Sequence, residues 1–163
     1  MNGEPRAARS FTVPRSLLPV PLSPMFGLLD ISTSGMMAQR TRLTAISANI
    51  ANRNSVEADG SPFRARMVMF SPGNPGAESA DGRALGVHVS SIEEDPSAFN
   101  LRYEPGDPRA LKSGPYKGYV QDSNVNMVTE QVNMMQAVRA YEANAAAAEA
   151  TRSMMNQALR LLG

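Results

Sequence analysis

Two stripes of apolar residues at seven-residue spacing, one at each end of the chain, set the strongest limit on its fold. Toward the C-terminus Met127, Met134, Tyr141, Ala148, Met155 and Leu162 recur every seven positions, and Val138, Ala145 and Leu159 each follow a member of that series by four. Toward the N-terminus Leu29, Met36, Leu43 and Ile50 keep the same interval, with Ile46 three beyond Leu43. This spacing holds side chains on one face of an α-helix and suits pairing with a second helix along a seam. A strand cannot keep it, because strand side chains alternate with a period of two. The spacing predicts one helix over 25–52 and another over 125–162.

Both stripes are narrow. Leu43 and its relatives are bordered by Ser32, Ser34, Gly35, Ala38, Gln39, Ser47 and Ala48, and the C-terminal stripe carries an alanine run at 145–148. Small side chains admit a close neighbour but bury little area, and an isolated helix without a buried face is marginal in water. Within the chain, the N-terminal helix is the one candidate to cover the C-terminal stripe. Asn49, Asn52, Asn133 and Asn144 lie on these helices, either as solvated or capping residues or as buried amides that set register. A left-handed asparagine cap is expected between Asn52 and Asn54, where "NIANRNS" precedes the turn "ADGSP".

Between the helices the pattern changes. "FRARMVMF" (63–70), "GVHVSSI" (86–92) and "FNLRYE" (99–104) are short, partly alternating runs divided by "SPGNPG" and "EPGDP". They read as three strands of a small antiparallel insert, with a core drawn from Phe63 or Phe70, Val68, Val87, Val89, Leu101 and Tyr103. The expected fold class is α+β: long N- and C-terminal helices pair as a coiled-coil-like core, with the β insert between them. The expected division is a helical core of 25–54 and 121–163 and an insert of 55–120. Residues 1–24 form a proline-rich leader, expected to be disordered; Pro14, Pro19, Pro21 and Pro24 break any secretory h-region, and Met25 is an alternative start.

Composition removes whole classes of function. Sixteen Lys and Arg against fifteen Asp and Glu leave a formal charge of +1, without the basic stripe that phosphate binding needs, so nucleic acid is not an expected partner. The absence of Cys excludes disulfides, Cys-based zinc sites and thiol catalysis. No run approaches the roughly 18 apolar residues of a membrane-spanning helix. The lone histidine, His88, sits in "GVHVS", where a solvent-facing strand residue is expected. Glu93, Glu94 and Asp95 lack calcium-loop spacing and read as an acidic loop end, and "GDPRALKSG" does not match a phosphate-cradling loop. No catalytic residue, metal site or cofactor is expected.

Four blocks, in order, resemble the bacterial flagellar rod and hook proteins. "SANIAN" (Ser47–Asn52) is similar to the A-S-N-L-A-N signature of that family's N-terminal helix. "DGSPFRARMVMF", "LRYEPGDP" and "GYVQDSNVNMVTEQVNMMQAVRAYEAN" resemble segments of its proximal-rod members, the second matching a Y-E-P-G-x-P turn. Asp122-Ser123 replaces a proline expected before Asn124, and Asn126 stands where Asp is usual, which puts the start of the second helix in question. The resemblance implies a structural subunit of the basal-body rod that crosses the periplasm and carries torque from motor to hook. It implies partners among other rod proteins, copies of the same chain and the flagellar type III export apparatus, without a cleaved signal. The expected helix-core and subunit-interface residues are Leu29, Met36, Leu43, Ile46, Asn49, Ile50, Asn52, Met134, Tyr141, Asn144, Ala148, Met155, Leu159 and Leu162.

Three other readings compete. A soluble coiled-coil interaction or regulatory protein would share the heptads but has no reason for "YEPGDP" or "SANIAN". A hydrolase hidden in the insert would depend on His88. Another rod or hook subunit would share the N-terminal signature alone.

Overall fold

The computed structural model describes the backbone of residues 23–73 and 86–162, and the side chains of 27–73 and 86–161. The proline-rich leader therefore lies outside the described residues, apart from the backbone of Ser23 and Pro24, as does the Leu162 side chain. In chain order the elements are helix α1 (Ser23–Asn52), strands β1 (Arg66–Pro72), β2 (Val87–Glu94), β3 (Asn100–Tyr103) and β4 (Tyr119–Asp122), and helix α2 (Met127–Leu162). The fold is α+β, with the two helices packed together and the strands between them in sequence.

Each helix boundary has a local cause. At the end of α1 the Asn52 side-chain amide donates to the Ala48 carbonyl at 2.9 Å, and the Ser55 N–H closes a turn onto the Asn52 carbonyl at 2.9 Å. Those bonds satisfy orphan carbonyls of the last turn. The left-handed asparagine cap expected there does not form: among the described residues only glycines have positive φ. At the start of α2 Asn126 Oδ1 accepts the N–H groups of Val128 (3.0 Å) and Thr129 (3.3 Å), an N-cap. The asparagine that departs from the family pattern thus keeps the capping function.

The β region differs from three strands in one sheet. It is two separate antiparallel ladders, β1 with β2 and β3 with β4. The fourth strand was unread because "YVQD" offers only four residues of alternation before the polar approach to α2. β1 starts at Arg66, three residues after Phe63, and its pairing with β2 is broken by an irregularity between Met69 and Phe70.

The core at the base of the insert is Phe63, Ala65 and Val125, each less than a tenth exposed, with Val120 also buried. Of the other expected core residues, Val68, Val87 and Val89 are half-buried, whereas Phe70, Leu101 and Tyr103 are exposed. Two-stranded ladders have too few layers to enclose both faces. Asn124 joins the segments around this core: its Oδ1 accepts the Ala65 N–H at 2.8 Å, and its Nδ2 donates to the Asp95 carbonyl (3.2 Å) and to Ser97 Oγ (3.0 Å).

Candidate assembly surface

Helices α1 and α2 run antiparallel, as three contacts in opposite chain order show. Gly35 lies against Asn144, Arg42 Nη2 donates to Asn133 Oδ1 at 3.4 Å, and Asn49 Nδ2 reaches Glu130 Oε2 at 3.4 Å. The seam between them is lined by small residues. Ala38, Ala45 and Ile46 are buried on α1, and Ala137 is completely inaccessible on α2. Gly35 makes room for the Asn144 side chain: a Cβ there would sit 2.7 Å from Asn144 Oδ1.

Ile46 and Asn49 of the expected set are buried, whereas the seven-residue stripe itself is shifted by about one helical position. Gly35, Arg42 and Asn49 form the inner line of α1, so Met36, Leu43 and Ile50, one residue later, flank the seam half-exposed, as does Leu29. On α2, Ala137, Asn144 and Thr151 lie innermost, while Met134, Ala148 and Met155 flank them half-buried. Tyr141 and Leu159 are exposed, at 39% and 63%. Apart from Ile46, the large apolar side chains of the expected stripe fall to the sides of the contact.

Asn49 is 1% exposed and bonds in both directions with one residue of β1. Its Nδ2 donates to the Arg66 carbonyl and its Oδ1 accepts the Arg66 N–H, both at 2.9 Å. The side-chain amide copies the pairing of a neighbouring strand and locks the insert to the hairpin. Asn52 serves its own helix, and Asn144 donates to the Ala140 carbonyl at 2.8 Å while facing Gly35.

A second apolar set went unread in the sequence. Val128 (68% exposed), Val132 (42%) and Met135 (55%) lie on the side of α2 turned away from Ala137. Their three- and four-residue spacing was the available signal. At the far end of α2, pairing of 49 with 130 and 35 with 144 carries the last turns beyond Ser23, the first described residue of α1. An open groove of about 630 Å³ runs along the C-terminal half of α2, lined by Met36, Ala148, Arg152, Asn156 and Arg160 among others.

None of this geometry suits bond-making chemistry. His88 is half-buried, not solvent-facing: β2 begins against α1, where the Val87 N–H donates to Ser34 Oγ at 3.1 Å, and the His88 Nδ1 atom has no hydrogen-bond partner among the described residues. Glu93 and Glu94 belong to β2 and are not a loop end. The perturbed ionisable groups among the described residues are held by local hydrogen bonds. A side-chain hydrogen bond from Arg109 holds Asp107 below the ordinary carboxylate range, and one from Ser61 does the same for Asp59. No helix among the described residues is long and apolar enough to cross a membrane.

Two family profiles match the two helical ends: "Flagella basal body rod protein" over residues 29–57 and "Flagellar basal body rod FlgEFG protein C-terminal" over 116–161. A flagellar basal-body rod protein FlgC of Borreliella burgdorferi is 40% identical over 148 residues, covering 85% of this chain and 97% of the relative. The FlgC proteins of Bacillus subtilis and Salmonella typhimurium are 38% and 39% identical, covering 83% and 84% of this chain and 97% of each relative. The chain belongs to the FlgC family of flagellar basal-body rod proteins. As a FlgC-family member it is a structural subunit of the basal-body rod and not an enzyme, and it assembles with other rod components.

Proposed function

We propose that the α1–α2 hairpin is the packing unit of this subunit in the rod, contacting copies of itself and other rod proteins, while the β insert lies outside that layer. On this reading 25–54 and 121–163 are the assembly core and 55–120 the outer module. One observation carries it: the hairpin uses its smallest residues for internal contact and leaves Val128, Val132 and Met135 in water. Contiguous apolar surface on a soluble subunit marks a site that another molecule covers. Leu29, Met36, Leu43, Ile50, Met134, Tyr141, Ala148, Met155 and Leu159 then act as interface residues, and Leu162 is assigned to the same set from its heptad position alone. Ile46, Asn49, Asn52 and Asn144 set the fold that presents them. A shaft built this way transmits torque through side-by-side helices, whose backbone hydrogen bonds resist extension. Delivery by the flagellar export apparatus fits a hairpin whose seam buries little area and separates readily.

The test is genetic and biochemical. In a strain lacking the gene, a tagged copy should restore swimming and co-purify with basal bodies, whereas Val132→Asp should fold but fail at both. A charge at that position meets desolvation only after packing. Restored swimming with Val132→Asp, or absence of the tagged wild-type chain from basal bodies, would overturn the proposal.

A further inference from the structure

Every residue of β3 is exposed, and among the described elements the β3–β4 ladder packs on neither helix nor on the β1–β2 ladder. Yet the loop it carries is ordered by its own bonds. Glu104 N–H donates to the Gly118 carbonyl, Gly118 N–H to the Leu111 carbonyl and Leu111 N–H to the Tyr119 carbonyl, all at 2.9 Å. Gly118, at φ 86°, lies so close to Tyr103 that a Cβ would sit 2.9 Å from its Cε2. Tyr103 and Tyr116 both stack edge-on against Tyr119, at 5.1 and 6.3 Å between ring centroids, and stay 65% and 53% exposed. Beside them opens a groove of about 520 Å³ whose walls include Tyr103, Lys112, Lys117 and Asp107, the last ion-paired with Arg109. Among the described residues neither lysine has an ion-pair partner.

Rigid exposed tyrosines are typical anchors of protein interfaces, since their ordering entropy is lost before docking. The two lysines call for an acidic rim on whatever docks. The chain itself carries such a surface. Met67 and Met69 are 42% and 45% exposed, and cross-strand pairing places Met67 opposite Glu93 on the same face of β1–β2. Among the described residues Glu93 accepts a hydrogen bond from the Ser91 hydroxyl alone, at 2.7 Å, and has no ion-pair partner. Methionine adapts to aromatic rings, and Glu93 complements lysine.

We infer that the tyrosine–lysine groove of one copy receives the methionine–glutamate face of the next. Two different patches on one chain make a head-to-tail contact, which repeats into a ring or helix and does not close as a symmetric dimer. The inference rests on the rod-subunit reading above and adds a contact that does not involve the helices.

A chain with no cysteine allows a direct test. Tyr116→Cys and Met67→Cys copies are expressed together in cells lacking the wild-type gene, and isolated basal bodies are treated with a mild oxidant. A disulfide-linked dimer of this chain should form with both variants present and with neither alone. In parallel, Lys117→Glu should lower swimming at least about tenfold, through like-charge contact with Glu93, and Glu93→Lys in the same chain should restore it. Bridging by Tyr116→Cys alone, bridging to a different protein, intact basal bodies without bridging, or failure of the charge swap would each overturn the contact. Absence of the wild-type chain from basal bodies would instead remove the rod-subunit reading beneath it.

Discussion

Gly35 and Asn144 meet across the helical hairpin so closely that the space of one missing methyl group is filled by an amide. All three outer amide atoms of Asn144 lie 2.7–2.9 Å from where a Gly35 Cβ would be, and that amide is tied to the Ala140 carbonyl. Two effects oppose each other in Gly35→Ala. Helix propensity favours alanine by about 1 kcal/mol, while overpacking a tight contact costs about 1–3 kcal/mol. Gly35→Ala should therefore lower the urea midpoint of the purified subunit, and adding Asn144→Ala should restore it. A single variant more stable than wild type would show that the helices do not approach as described.

Asn49 should be the least replaceable polar residue of the hairpin. Asn49→Ala strands the N–H and carbonyl of Arg66 beside a buried cavity, a loss of about 2–4 kcal/mol from two hydrogen bonds with their desolvation. Asn49→Asp keeps an acceptor but removes the donor and faces Glu130, so it should rescue little. Equilibrium unfolding of both variants checks this, and an Asn49→Ala protein within 0.5 kcal/mol of wild type, about the scatter of surface substitutions, would contradict it.

At the start of α2 the two prospects separate by chemistry. Asn126→Ala should cost about 1 kcal/mol by removing the cap, whereas Asn126→Asp should match or exceed wild type, because a carboxylate also complements the helix dipole. Thermal melts at neutral pH read the order directly. Asp falling below Ala would exclude the capping role.

How much of this was legible follows from residue size. Both helices were readable because Met127 to Leu162 and Leu29 to Ile50 keep a helical interval, and Phe63 was correctly placed among the core candidates. The seam was misplaced by one position because a search for large apolar side chains lands on Met36 and Leu43, while close packing selects Gly35, Ala38 and Ala45. β4 was missed because four residues carry little periodicity. The bond from Asn49 to Arg66 joins residues seventeen apart in sequence through a side-chain amide, which no local pattern announces. The outward set Val128, Val132 and Met135 was present at helical spacing but overshadowed by the stricter heptad beside it.

The rod-packing proposal turns on whether the outer helix faces are covered in the assembled rod. Methionine oxidation measures this at the atoms concerned, since sulfoxide forms only where oxidant reaches the sulfur. Met37, Met135 and Met154 are 66%, 55% and 54% exposed in the single subunit. Under limiting peroxide, mass spectrometry of the free subunit should show all three oxidised rapidly, and in intact basal bodies Met135 should be protected by about tenfold or more. Equal oxidation of Met135 in the free and assembled protein would contradict burial of this face and leave the hairpin without a role in holding the rod together.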